Sequence, residues 1–93
     1  TTPIDTSAAS DMDVTIQGTA IDLDAGIITD SGSLTFTGPV NINGTVALDT
    51  GNGGASTTAG SATFTGIVSA NDGTGDVLTI DADGSTTDGD IEF

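Results

Sequence analysis

The sequence contains no lysine, arginine or histidine, whereas aspartate and glutamate together number 14, which gives a formal net charge of −14. Proteins that bind nucleic acid neutralise its phosphates with lysine and arginine, so nucleic acid is excluded as a partner. Docking on an anionic membrane surface is excluded for the same reason. Since no carboxylate can pair with a basic side chain, each must be solvated, accept hydrogen bonds from backbone N–H groups, or share a metal ion.

Cysteine, tryptophan and tyrosine are also absent, and only three phenylalanines occur among the 93 residues. Without cysteine and histidine there can be neither disulfide bonds nor a zinc site. A single domain of this length buries a modest share of its surface, so one compact core gives it little stability. Repetition, partner subunits or hard metal ions remain as sources of stability.

The sequence also lacks long apolar runs and any apolar stripe of helical period. Its runs of two or three apolar residues are too short for a transmembrane helix, and no basic residue is present to begin a signal peptide. Glycine, threonine and aspartate, which are frequent here, are poor residues for a helix interior. The chain is nevertheless rich in isoleucine, valine and leucine, with hardly any glutamate or proline, unlike disordered chains. We therefore expect a folded β protein.

A short pattern recurs along the chain: an apolar residue, a variable residue and a second apolar residue, followed by a polar residue and a glycine-marked turn. Such alternation is typical of a half-buried strand, with the outer residues on one face and the middle residue on the other. Only Ala47 is apolar among the middle residues. The nine triplets are 14–16, 21–23, 34–36, 40–42, 46–48, 62–64, 68–70, 78–80 and 91–93.

The spacing of the apolar positions predicts how the strands stack. Starts at 14, 21, 27, 34, 40 and 46 are six or seven residues apart, so three steps make 19 or 20 residues. This places residue 14 beneath 34, 21 beneath 40, and 27 beneath 46. A three-sided coil of that size is the parallel β-helix, in which each short strand pairs with its equivalent one coil away. We expect an all-β solenoid of about four coils.

One phrase is written twice, as GSLTFTGPV at 32–40 and as GSATFTGIV at 60–68, with seven of nine positions identical and an offset of 28 residues. The offset equals one coil plus a polar insertion, which we place at 50–59, with further loops at 71–76 and 81–90. Residues 13–93 then form the solenoid domain. Residues 1–12 contain no triplet and are interpreted as a linker or flexible end, with a cap as the alternative.

The stretch VTIQGTAIDLDAGIITDSGSLTFTGPVNINGTVALDTGNGG, with its glycine-marked turns, apolar–Thr–apolar strands and TFTG phrase, resembles the repeats of filamentous-haemagglutinin-like adhesins and related giant bacterial surface proteins. The resemblance covers about residues 13 to 93. It implies a right-handed parallel β-helix that belongs to a long extracellular shaft at the cell surface. It supplies no catalytic or binding residue, and the absence of lysine and arginine departs from the family.

The acidic tail DADGSTTDGDIEF is the candidate metal site. Four carboxylates, those of Asp81, Asp83, Asp88 and Asp90, fall within ten residues and have no counter-cation. A hard divalent ion such as Ca²⁺ would relieve their repulsion. An EF-hand is disfavoured, because Thr86 stands where that loop needs glycine and no helices flank it. The alternative is a solvated acidic loop.

Catalysis is not expected. Polysaccharide lyases built on β-helices use arginine or lysine as base and charge stabiliser, and this chain has neither. A glycosidase needs only two carboxylates at a set separation, but aromatic residues that could stack on a sugar are almost absent.

Two functional hypotheses follow. The first is a structural segment of an extracellular bacterial fibre, adhesin shaft or surface layer. The second is a calcium-dependent extracellular binding module that uses the acidic loops. Since the triplet 91–93 has neither a glycine turn nor a polar cap behind it, we expect axial stacking on adjacent repeats or other copies of the chain. We expect no nucleic-acid partner and no membrane insertion.

Overall fold

The computed structural model describes residues 3–70 and 75–93, so most of the predicted loop at 71–76 lies outside the described residues. Over these two ranges the chain forms strands and no helix, and hence no helix long and apolar enough to cross a membrane. The strands are β1 (Ile4–Ser10), β2 (Val14–Gln17), β3 (Ile21–Leu23), β4 (Ile27–Asp30), β5 (Leu34–Thr37), β6 (Val40–Ile42), β7 (Thr45–Asp49), β8 (Ala62–Phe64), β9 (Val68–Ala70), β10 (Val77–Asp81) and β11 (Ile91–Glu92).

The eleven strands pair in parallel into three sheets. Sheet A has the order β1-β4-β7-β10, sheet B the order β2-β5-β8-β11, and sheet C the order β3-β6-β9. Strands that follow one another in the chain lie in different sheets, and every pair of hydrogen-bonded strands is one coil apart. The chain is therefore a parallel β-helix with three complete coils. A fourth coil supplies strands to sheets A and B, which confirms the predicted solenoid fold.

The register agrees with the predicted stacking in two sheets and differs in the third. Val14 pairs with Leu34 in sheet B, and Ile21 pairs with Val40 in sheet C, as predicted. In sheet A, however, Ile27 pairs with Leu48 rather than with Val46. Five residues lie between Ile42 and Leu48, whereas three lie between their partners Leu23 and Ile27. Because side chains alternate with a period of two, this shift keeps Leu48 on the inner face.

Residues 4–10 were predicted to belong to a linker, but they form β1, the first strand of sheet A. Ile4 pairs with Ile27 and Asp5 with Ile28, and an irregularity in the register follows before Ser10 pairs with Asp30. The pairing rests on main-chain bonds such as that from the N–H of Ile4 to the carbonyl of Gly26, 3.0 Å long. Main-chain bonds hold this edge strand, so its residues can be small and polar. The segment therefore lacks the apolar triplet that marks the other strands.

The interior is filled by the outer residues of the triplets, including Leu34, Val46, Leu48 and Ala62, all of them fully buried. The three phenylalanines form one column along the axis of the coil. The ring of Phe36 stacks on that of Phe64 with centroids 4.9 Å apart, and the ring of Phe64 stacks on that of Phe93 at 5.0 Å. This spacing is close to the distance between hydrogen-bonded strands, so the ladder itself aligns the rings.

Glycines bound the repeated phrase because successive coils touch backbone to backbone at their corners. A Cβ atom on Gly38, whose φ is 118°, would lie 1.9 Å from the carbonyl oxygen of Gly18 one coil away. A Cβ atom on Gly60 would lie 2.3 Å from the carbonyl oxygen of Gly32. Neither position admits a side chain without opening the ladder. The first and seventh residues of the phrase, both glycines, recur because each lies at such a corner.

Two threonines are buried at the corner between sheets A and B. Thr29 and Thr50 occupy equivalent places on successive coils, and each is 0% exposed. The hydroxyl of Thr29 donates to the carbonyl of Gly32 at 2.5 Å, and that of Thr50 donates to the carbonyl of Gly60 at 2.6 Å. Each hydroxyl therefore satisfies a backbone carbonyl that the corner turns inward, where an unpaired group would be costly.

The insertion predicted at 50–59 leaves the coil after β7 and packs against the segment that follows β10. The N–H of Ser85 donates to the carbonyl of Ser56 at 2.8 Å, and the N–H of Ala59 donates to the carbonyl of Thr87 at 2.9 Å. Ser56 is 4% exposed as a result. The two insertions thus continue the axial pairing outside the three-sided coil.

Replacing Phe36 by alanine tests the inward assignment. We expect the free energy of unfolding to fall by about 3–5 kcal/mol, because the change leaves a cavity in the middle of the ring column. Thr35→Ala, on the outer face of the same strand, is the control and should cost less than about 1 kcal/mol. Urea unfolding followed by circular dichroism measures both. Equal losses in the two variants would contradict the assignment.

Candidate functional site

In the part of the chain that the structure describes, strands at the two ends of the coil have a neighbour on one side only. We call the end formed by β1, β2 and β3 the lower end, and the end formed by β9, β10 and β11 the upper end. Each such strand presents a row of N–H and C=O groups that another strand can bind. We therefore treat the lower and upper ends as the candidate functional site.

The lower end opens into an apolar hollow of about 200 Å³. This hollow is the interior of the first coil. Ile16 continues the phenylalanine column downward, since it pairs with Phe36 in sheet B. Six of the nine lining residues are aliphatic, and Asp22, Asp24 and Gly26 complete the lining; the aliphatic residues are Ile4, Ile16, Ile21, Leu23, Ala25 and Ile27. The lower end can thus receive an apolar group in line with the axis.

The upper end projects apolar side chains. Phe93 is 76% exposed even though one face of its ring lies on Phe64. Ile91, which pairs with Ala62, is 45% exposed, and Val77 on β10 is 48% exposed. The side chains of Leu78 and Ile80 pack against the buried core and are only partly covered. An apolar surface therefore meets water at the upper end, as the interior of the first coil does at the lower end.

Backbone N–H groups take the place of the missing basic side chains along the sides of the coil. Asp13 accepts a hydrogen bond from the N–H of Ser33 at 2.8 Å, and Asp76 accepts one from the N–H of Gly44 at 2.7 Å. Asp49 accepts from two N–H groups, those of Gly51 and Gly53, at 2.9 and 2.7 Å. These bonds give the carboxylate oxygens hydrogen-bond partners that basic side chains would otherwise supply.

The four acidic residues predicted as a calcium site are only partly brought together. Asp83 and Asp88 form a carboxyl pair, and Asp81 lies close enough to repel Asp83. Asp81 also accepts a hydrogen bond from the N–H of Asp83 at 3.1 Å. Asp90 lies on the way to β11, where its carbonyl accepts from the N–H of Ala62. Among the described residues no three acidic side chains are grouped so that they could hold a metal ion, and calcium binding stays a prediction.

The pKa values of two carboxyl groups, those of Asp83 and Asp5, are shifted in opposite directions. The hydrogen bond and negative charge of Asp88 raise the pKa of Asp83, while the hydrogen bonds donated by Ser7 lower the pKa of Asp5. The contact between Asp83 and Asp88 therefore contributes its full stability below the ordinary pKa of aspartate. This contribution is lost as the pH rises through the raised pKa of Asp83. The contact of Asp5 is favourable above its ordinary pKa and is lost in acid.

Two shallow hollows on the sides of the coil each contain a single carboxylate. One, of about 200 Å³, includes Asp22 and Asn41, and the other, of about 290 Å³, includes Asp49 beside Ala47. A glycosidase needs two carboxylates on opposite sides of a bond. Neither hollow assembles such a pair, and the expectation that the chain is not an enzyme stays a prediction.

Comparison with known proteins adds no relative. The chain matches no protein-family model, no curated protein and no solved structure. Functional interpretation therefore rests on the geometry of the two ends and on the repeat pattern.

Sequence reasoning found Phe93, Ile91 and Ile16 as members of the stack, but it missed two features of the molecule. The lower edge belongs to β1 as well as to β2 and β3, and the apolar signal there is a single residue, Ile4. The buried hydroxyls of Thr29 and Thr50 were also missed. The sequence does carry a signal for both threonines. Each lies two residues after a buried aliphatic residue, so the alternation of side chains along a strand places it on the inner face.

The calcium prediction can be tested by calorimetry on the whole chain. It expects heat on titration to millimolar Ca²⁺, the range of extracellular modules, and a rise in Tm. Asp88→Ser should abolish both effects, because it removes one member of the carboxyl pair. Asp22→Ser, an exposed aspartate on sheet C, should leave them unchanged. A native chain that shows neither heat nor a change in Tm would refute the prediction.

Proposed function

We propose that this chain is a structural β-solenoid segment whose ends pair axially with further coils, in an extracellular bacterial fibre, adhesin shaft or surface layer. The observation that carries the proposal is the match between the two ends. The lower end has free strand edges around an apolar hollow, and the upper end has free strand edges around a projecting Phe93. The location outside the cell and the bacterial source rest on the resemblance of the repeats.

The internal columns support axial pairing between copies. Inside the chain Ile16 lies next to Phe36 in register, and Phe36 lies next to Phe64. A second copy placed above the first would set its Ile16 against Phe93 and so repeat a contact the fold already uses. Sheet C has three strands where sheets A and B have four, so sheets A and B would make the contact between copies.

Gly18 supports the presence of a coil below the first. Its equivalents, Gly38 and Gly66, are each so close to the backbone one coil below that a Cβ atom would clash. A Cβ atom on Gly18 would meet nothing closer than Ile21, at 3.5 Å. No contact within the described chain therefore requires glycine at this position. A further coil beneath Gly18 would require it.

The net charge of −14 sets the conditions for such pairing. Copies stacked along one axis repel one another, and salt weakens this repulsion because the Debye length is about 8 Å at physiological ionic strength. Association should therefore strengthen as salt is added. Nonpolar contact at the ends supplies the attraction.

The test compares two exposed apolar residues. Phe93→Ser removes the side chain at the upper end, whereas Ile67→Ser removes one of equal exposure, 75% against 76%, at a corner between sheets B and C. We expect Phe93→Ser to weaken association by about ten- to a hundredfold, the effect of losing one buried aromatic side chain. Ile67→Ser should associate like the native chain. Sedimentation velocity at several salt concentrations, with negative-stain imaging, measures this.

The result that would contradict the proposal is a native chain that remains a discrete folded monomer at physiological salt. Equal weakening by the two substitutions would also contradict it, because association would then depend on general surface hydrophobicity rather than on the ends.

A further inference from the structure

The sequence contains two Asn–Gly dipeptides, Asn43–Gly44 and Asn52–Gly53. This dipeptide deamidates spontaneously more readily than others, because glycine places no side chain in the way of its own backbone nitrogen. The Gly nitrogen loses its proton and bonds to the side-chain carbonyl carbon of asparagine, and ammonia leaves. Water then opens the resulting succinimide ring to aspartate or isoaspartate. No enzyme, metal or oxidant is needed.

Both glycine nitrogens are engaged by carboxylates in the fold. Asp49, at the end of β7, accepts the N–H of Gly53 on Oδ2 at 2.7 Å and the N–H of Gly51 on Oδ1 at 2.9 Å. Asn52 itself has a φ of 52° and is half-buried, and Gly53 is exposed to water. Water can therefore reach this turn, and the nucleophilic nitrogen is held by a hydrogen bond to Asp49.

Gly44 is held from the coil above. Its N–H donates to Oδ1 of Asp76 at 2.7 Å, across 32 residues of sequence, and its carbonyl accepts the N–H of Val77 at 2.9 Å. Neighbouring residues of the next coil thus hold both polar groups of Gly44. Asn43 is exposed, so the solvent that would hydrolyse a succinimide is present here as well.

The same feature extends to glycines that follow aspartate. Gly84 donates its N–H to Oδ1 of Asp88 at 3.3 Å, and Gly89 donates to the carbonyl of Ala82 at 2.9 Å. Within residues 3–70 and 75–93, all four glycines that follow asparagine or aspartate therefore have bonded N–H groups. The two that follow asparagine have the shortest bonds, each to a carboxylate.

We propose that Asp49 and Asp76 protect the two Asn–Gly bonds, and that Asn52 and Asn43 are the modification sites revealed when these carboxylates are removed. Attack on the asparagine side chain requires the Gly nitrogen to break a charge-assisted hydrogen bond and to turn away from its partner. It also requires the nitrogen to lose its proton beside a negative charge, which disfavours the anion. The inference is independent of axial pairing and concerns the chemical lifetime of the folded chain.

A crossed pair of variants of the whole chain tests the proposal. Asp49→Ala should raise the deamidation rate of Asn52 by about tenfold or more, the effect of losing one hydrogen bond to a charged group, and leave Asn43 unchanged. Asp76→Ala should do the reverse. Mass spectrometry of pepsin fragments, during incubation of the folded protein in mildly alkaline buffer, follows the replacement of an amide by a hydroxyl at each site.

Asp13→Ala is the matched control, because Asp13 accepts the N–H of Ser33 at 2.8 Å but holds no Asn–Gly bond. It should change neither rate. The native chain unfolded in urea should lose both amides faster than the folded chain. If Asn52 deamidates in Asp49→Ala at the native rate, or if Asn43 accelerates with it in the same variant, the proposal is overturned, since the second result would indicate general loosening of the fold.

Discussion

Backbone hydrogen bonds that run along the axis, from each strand to the strand one coil away, are the constraint on which the rest of this structure depends. Each strand pairs in parallel with its equivalent one coil away. Equivalent residues must therefore have nearly equal conformations on successive coils. Side chains then stack on like side chains, as the rings of Phe36 and Phe64 do. The same bonding direction leaves strand edges unpaired at both ends of the stack over residues 3–70 and 75–93, and the proposed axial pairing would use these edges.

The absence of cationic side chains is compatible with this fold because the backbone supplies positive groups. Corners and insertions turn N–H groups outward, and aspartates such as Asp13 and Asp49 accept them. These bonds serve the fold locally and, at Gly44 and Gly53, restrain reactive peptide bonds. A chain with 14 acidic residues can thus be folded without an ion pair, and the proposed pairing of copies would require salt to screen the repulsion between them.

Much of this fold could be predicted from the sequence, because a half-buried strand and a fixed coil length leave periodic traces. The stacking of Val14 on Leu34 followed from spacing alone. The spacing of apolar positions does not fix which apolar residue of a longer strand pairs one coil away, and for this reason Ile27 was predicted beneath Val46 instead of Leu48. The edge strand β1 escaped prediction because main-chain bonds hold it and its residues are small or polar.

The candidate site shows the same division. Apolar triplets at the ends predicted what Phe93 and Ile16 contribute, since alternation assigns them to the interior column. The closeness of four acidic residues in the sequence did not predict how they are arranged in space. These residues are Asp81, Asp83, Asp88 and Asp90. The path of the chain after β10 depends on its contacts with the insertion at 50–59, and those contacts have no local signal.

The central claim is the axial ladder, and scalar couplings across hydrogen bonds, measured by NMR on the isotope-labelled chain, test it most directly. Three successive rungs are diagnostic: the N–H of Val14 bonds to the carbonyl of Ser33, that of Leu34 to Ser61, and that of Ala62 to Asp90. The account predicts a coupling between the nitrogen and the carbonyl carbon of each pair. Couplings that join these nitrogens to carbonyls a few residues away, as in antiparallel hairpins, would contradict it.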